Sequence, residues 1–199
     1  KCHPNMISEN LTSFNGKSVI DFDSEEALKD LNHYVYRLRL DYEALDSGQK
    51  MEDLIHAFAE IPATAECQEL IIGQWDYDSS RKADGFVQTL IELKDAFKNL
   101  KALFIGDITA EEQEISWIQQ SDLSPLFAAF PNLEFFQARG GDGLSLSELK
   151  HQNLKTLVIQ TGGLPPNVVK DICNADLPNL EKLELWLGDD NYGFESSIE

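Results

Sequence analysis

The chain has 199 residues, 42% of them hydrophobic, with 35 Asp and Glu against 16 Lys and Arg and a net charge of −19. Its mean hydropathy is −0.30, and it contains no apolar run near the length that crosses a bilayer. An electrostatic field of this sign repels phosphate backbones, so membrane-spanning and nucleic-acid-binding classes drop out and a core-forming acidic domain remains.

Residues 1–30 read as an N-terminal cap segment. Lys1 to Gly16 is polar and broken by Pro4 and Gly16, with nothing like the apolar centre of a secretion signal. The lack of a starting Met suggests trimming or a leader, and the sequon Asn10-Leu11-Thr12 has no secretion signal to accompany it. Localisation is therefore expected to be cytoplasmic.

Residues 31–199 carry a repeat. An apolar residue, two variable ones, an apolar residue, one variable one and a third apolar or small residue recur six times: Val35-Leu38-Leu40, Cys67-Leu70-Ile72, Leu100-Leu103-Ile105, Leu133-Phe136-Ala138, Leu154-Leu157-Ile159 and Leu180-Leu183-Leu185. Asn99, Asn132, Asn153 and Asn179 precede the last four. This is the strand half of a leucine-rich repeat, in which alternate side chains of a short parallel strand enter a core shared by stacked repeats. The third positions are separated by 32, 33, 33, 21 and 26 residues, and the longer intervals have room for a helix.

Helices are expected between the strands. Met51, Leu54, Ile55 and Phe58 form one apolar stripe over Met51–Ala59, and Phe86, Leu90, Leu93 and Phe97 do the same over Ala83–Phe97. Further helices are expected over Ser121–Phe130 and from Pro165 or Pro166 to Asn174, with about one turn over Leu144–Leu149. The fold class is α/β: a leucine-rich-repeat horseshoe with parallel strands on the concave face and helices on the convex face.

Most chemical motifs fail on their residues. Asp76-Tyr77-Asp78-Ser79-Ser80 begins like a calcium loop, but Arg81 stands where the turn glycine belongs and Val87 where the closing acid belongs, which leaves a solvated loop. His3, His33, His56 and His151 have no ligand spacing, with His56 a rim residue. Gly140-Gly141-Asp142-Gly143 lacks the Lys-Ser/Thr of a phosphate loop and reads as a tight turn. Asp189, Asp190 and Asn191 with Glu195 read as acidic surface, and Cys2-His3 as a terminus able to bind only stray metal. Cys67 and Cys173 read as small buried apolar residues in a reducing compartment. Neither a metal nor a cofactor is expected, and no nucleophile motif is visible. Residues Thr109 to Gln120 carry more apolar weight than a connector should. Trp117 is expected either to fill a gap between convex helices or to wall a pocket with Trp75, Asp107 and Arg139.

The run Gly106-Asp107-Ile108-Thr109, then Glu114 to Asp122, then Arg139-Gly140-Gly141 and Glu184-Leu185-Trp186-Leu187-Gly188 resembles a family of bacterial cytoplasmic leucine-rich-repeat proteins with no assigned activity. The likeness runs from about Val19 to the C-terminus, and Ile115 to Asp122 is its most specific part. More loosely, the helix-bearing repeats are similar to the ribonuclease-inhibitor class. The resemblance implies a binding scaffold, carries over no catalytic residue, and implies that further repeats follow Glu199.

Period 2 writes down the concave face. Its central column is Arg39, Ile71, Phe104, Gln137, Val158 and Glu184; one flank is Arg37, Glu69, Ala102, Phe135, Thr156 and Lys182; the other is Asp41, Gly73, Gly106, Arg139, Gln160 and Trp186. Inward leucines and isoleucines are expected to be buried and the residues between them exposed, with Ile71, Phe104, Phe135 and Val158 as an open apolar strip. The expected contact residues are Arg37, Arg39, Ile71, Phe104, Phe135, Gln137, Arg139, Val158, Glu184 and Trp186. The expected function is non-catalytic recognition of a protein partner. The alternative is a small-ligand binder or enzyme at the strand C-terminal rim, using Asp41, Trp75, Asp107, Arg139 and Trp186. The strand at Lys182–Trp186 is expected to leave an open edge that continues into more repeats or self-associates.

Overall fold

The computed structural model describes residues 7–188. Eight strands form one sheet in strict chain order: β1 Ser13–Phe14, β2 Lys17–Asp21, β3 Tyr34–Leu38, β4 Glu69–Ile72, β5 Ala102–Ile105, β6 Phe135–Arg139, β7 Thr156–Gln160 and β8 Lys182–Leu185. Strands β2 to β8 are parallel, and β1 runs antiparallel to β2. The turn between β1 and β2 is Asn15-Gly16, both with positive φ (48° and 78°), the geometry that a two-residue hairpin demands.

Helices occupy the connections: α1 Tyr42–Asp46, α2 Met51–Ala59, α3 Asp84–Glu92, α4 Ser124–Ala129 and α5 Pro166–Cys173. The expected Met51–Ala59 helix has the observed bounds, while the expected Ala83–Phe97 helix stops at Glu92 and Ser121–Phe130 shortens to α4. Leu144–Leu149 forms no helix; Leu144, Leu146 and Leu149 are buried in an irregular connection. No helix among the described residues is long and apolar enough to cross a membrane.

Helix stripes and inward strand positions share one large core, to which Leu54, Ile55 and Phe58 of α2, Leu38, Leu70 and Phe97 all belong, with the Phe58 and Phe97 rings stacked at 6.2 Å. Leu38, Leu40, Leu70, Ile72, Leu103, Ile105, Leu157 and Ile159 are all buried, whereas Leu183 is 46% exposed and Leu185 only half-buried. The last two lie on β8, which among the described residues pairs with β7 alone.

Four asparagines stitch the strand entrances together. The side-chain amide of Asn99 donates to the Ala65 carbonyl (2.7 Å), Asn132 to Lys98 (3.0 Å), Asn153 to Pro131 (2.8 Å) and Asn179 to Gln152 (2.6 Å). Each ties its strand entrance to a backbone carbonyl of the preceding repeat, which accounts for the recurrence of asparagine before the strands. Nearby, Lys155 pairs with Glu134 at 2.6 Å.

The register differs from the sequence reading in the first strand. Tyr36 and Leu38 pair with Leu70 and Ile72, so Arg37, not Arg39, stands in the central column beside Ile71, Phe104, Gln137, Val158 and Glu184. The shift is two residues, so the faces are kept while the columns move. Its cause is visible in the sequence: the position equivalent to Cys67 is His33, which is not apolar, and Tyr36 takes the inward place with its hydroxyl accepting from the Lys29 N–H at 2.6 Å.

Candidate binding face

The sheet face opposite the helices is not open over its first half. In a flat sheet β1 and β6 would lie roughly 24 Å apart, five strand spacings, yet the Phe14 and Phe135 rings meet edge to face at 5.2 Å. The sheet therefore curls, and the hairpin folds over its inner face. Phe14, Val35, Ile71, Ala102 and Phe104 form a second core there, joined by Leu11, Val19 and Phe135.

Residues 7–12 continue this cover, and they are held by charge as well as by apolar contact. Asp107, fully buried, accepts from the Leu11 N–H at 3.1 Å and from Arg37 Nη1 at 2.8 Å, with Arg139 Nη1 at 3.7 Å. Arg37 also donates to the Leu11 carbonyl (3.2 Å) and to Asp21 (2.6 Å). The Asn10 amide donates to the Asp107 carbonyl (2.9 Å) and to Glu112 (3.2 Å), and the Ile7 carbonyl accepts from the Ala110 N–H (2.8 Å). Arg39 Nε lies 3.0 Å from Glu112 outside hydrogen-bonding geometry, so this is a charge contact. Gly106 makes the cluster possible: at φ 101° a Cβ there would sit 2.7 Å from the Arg139 carbonyl oxygen.

The two buried arginines respond differently to one carboxylate. Burial works against the Arg37 guanidinium, but hydrogen bonds to Asp21 and Asp107 outweigh it and hold its pKa above the ordinary value. For Arg139 burial dominates, and attraction to Asp107 and Glu112 only partly offsets it, leaving a pKa of about 10. Arg139 is nonetheless charged at neutral pH, lies over the Phe104 ring at 5.2 Å and donates to the Ile108 carbonyl at 2.7 Å and to Gln160 at 3.0 Å.

These placements correct the expected contact strip. Ile71, Phe104 and Val158 are buried, and so are Arg37, Gln137 and Arg139; Phe135 is half-buried. Arg39 is partly exposed on a flank, beside Asp21 and Glu112. Glu184 and Trp186 remain partly exposed, with Trp186 Nε1 donating to Glu184 at 3.1 Å, and Lys182 is exposed.

The rim alternative is not assembled as expected either. Asp41 caps α1 through the Ala44 N–H, buried Trp75 packs on Phe86 and donates to the Arg81 carbonyl, and Asp107 and Arg139 serve the internal network. Trp117 neither fills a gap nor lines a closed pocket: it is 62% exposed, while Ile118 beside it is buried. The loop at Asp76 is more than solvated surface, because buried Asp76 accepts from the Arg81 N–H at 3.0 Å. Gly140 and Gly143 allow close stacking on Ile118 and Gln120 rather than cradling an anion. Buried His151 accepts from the Asn153 N–H at Nδ1 (3.2 Å) and its Nε2 lies 3.0 Å from the Phe130 carbonyl, so the ring is a structural link. Cys67 is buried, but Cys173 is exposed. Among the described residues no three His, Cys, Asp or Glu side chains are placed to hold a metal. Residues 189–191 and 195, Cys2 and His3 lie outside the described residues.

A crystal structure of a Bacteroides fragilis protein is similar to this chain, with a TM-score of 0.75 and 38% identity over 81% of this chain and 45% of that one. The chain thus spans less than half the length of that protein. No family model and no curated protein matches.

The sequence reading missed the hairpin and the cover it supplies. Phe14-Asn15-Gly16-Lys17 carried the signal, since Asn-Gly between chain-extending residues is a strong short-range hairpin mark.

Proposed function

We propose that the chain is a cytoplasmic, non-catalytic binding scaffold, a leucine-rich-repeat solenoid of the bacterial kind it resembles, and that it recognises a protein partner across the inner face over β6–β8. The supporting observation is the division of that face. Over β3–β5 it is filled by the chain's own residues 7–14, and Gln137 and Val158 stay buried beyond them, whereas Thr156, Glu184 and Trp186, with Phe135 at the edge of the cover, are partly exposed and Lys182 is exposed. The covered half also illustrates how an extended segment is gripped: Asp107 accepts its backbone N–H, Arg37 donates to its carbonyl, and apolar side chains seat beside them. Strands in chain order and the asparagine ladder favour the repeat reading.

The test is selection of a displayed peptide library against the intact chain, followed by Trp186→Ala and Glu184→Ala. Loss of binding by both variants at an unchanged melting temperature is the expected result, because large aromatic residues dominate interface energetics. Enriched peptides that bind both variants as tightly as the parent would place recognition elsewhere.

A further inference from the structure

A second surface stands apart from the inner face. Three large aromatic side chains are exposed on the loops that leave the strands: Tyr42 (65%) at the start of α1, Tyr77 (40%) after β4 and Trp117 (62%) after β5. The Tyr42 and Tyr77 rings lie 5.3 Å apart at 49°. Their loops are fastened rather than loose. Ser79, held at φ 62°, donates through its hydroxyl to the Trp117 carbonyl at 3.0 Å, and the Gln113 amide donates to the same carbonyl and to Ser79, each at 3.2 Å. A left-handed serine is strained, and these bonds maintain it, so the Tyr77 loop and the Trp117 turn form one piece.

The surroundings are anionic. Asp46 and Asp78 are exposed, and the Tyr77 hydroxyl is pushed above its ordinary pKa by desolvation, then by Tyr42, Asp78, Asp46 and Asp76. Lys50, Arg81 and Lys82 line another depression with Glu52 and Asp84, and the Arg81 guanidinium donates to the Gln49 carbonyl at 2.8 Å.

We propose that this patch docks a basic segment of a protein partner. A Lys or Arg side chain lies on the Tyr42 and Tyr77 faces with its charge toward Asp46 and Asp78, and an apolar neighbour rests on Trp117. Ring quadrupoles and carboxylates favour the same sign of ligand, and the −19 net charge steers it in. An acidic or neutral segment gains neither.

The experiment measures binding of a labelled peptide of alternating lysine and serine, and of its glutamate counterpart, to the intact chain at low and high salt. The lysine peptide is expected to bind and the glutamate peptide not. Tyr42→Ala with Tyr77→Ala should weaken binding about tenfold, Tyr77→Phe should retain it, and Asp46→Asn with Asp78→Asn should weaken it and flatten its salt dependence. Glu25→Gln with Glu26→Gln, which removes the same charge from the β2–β3 connection, should change little, and melting curves check each fold. Absence of lysine-peptide binding overturns the proposal. So does parental affinity in the tyrosine pair, or an equal loss in the Glu25 and Glu26 pair, since either leaves only diffuse attraction. The β6–β8 reading is tested by Trp186→Ala, which should leave this peptide's affinity unchanged.

Discussion

Replacing Phe104 by alanine removes a fully buried ring from the inner core that it shares with Phe14 and Ile71, with the Arg139 guanidinium over its face. The expected cost is about 3–5 kcal/mol, comparable to that of Leu103→Ala on the opposite face, because each leaves a cavity in a closed core. Denaturant unfolding of the two variants checks this; a Phe104→Ala chain as stable as the parent would mean that the inner face is open. Asp107→Asn should cost a similar amount, since it leaves Arg37 and Arg139 without their shared buried counter-charge. Burial pushes the Cys67 thiol up to about 12, so a thiol reagent should label Cys173 in the native protein and reach Cys67 only on unfolding.

At the scale of elements, the cover formed by residues 7–14 is the feature to remove. A chain lacking residues 1–14 should keep its helical circular dichroism, bind a hydrophobic dye far more strongly than the parent and melt lower. Equal dye binding would show that the apolar strip was never covered. The Glu134–Lys155 pair between strand entrances sets a pH window. Its hydrogen bond to Lys155 lowers the Glu134 pKa below 4.5, so that contribution is present above that pH and lost as pH falls through the lowered value; Lys155 is raised above 10.5, so its share is lost as pH rises. The melting temperatures of Glu134→Gln and parent should therefore converge in acid, where the parent's carboxylate is protonated as well. What was legible in the sequence follows the same scale. Inward positions with period 2 and the α2 stripe were readable because burial there is repeated. The first strand was misplaced because one anchor, His33, broke the pattern. The closed face was unreadable by strand periodicity because its cover comes from residues 97 positions away, as in the contact of Asn10 with Asp107.

For the whole molecule, Leu183 and Leu187 stand exposed on and after β8, an apolar margin beside the final described strand. We expect concentration-dependent self-association through this edge, detectable by sedimentation and blocked by Leu183→Lys. A monomer at every concentration would mean that the margin is satisfied by other means.

The long reach between Asn10 and Asp107 bears on the order of synthesis. Leu11 and Phe14 leave the ribosome before their seat exists, because Phe104, Asp107 and Phe135 are made at least 90 residues later. At roughly 5–20 residues per second, that is a wait of about 5–20 s. During that interval Phe14 lacks Phe135 and Leu11 lacks the Asp107 carboxylate. Closure of the inner face therefore waits for the synthesis of β5 and β6, and residues 11–14 are the segment that a chaperone would have to shield until then.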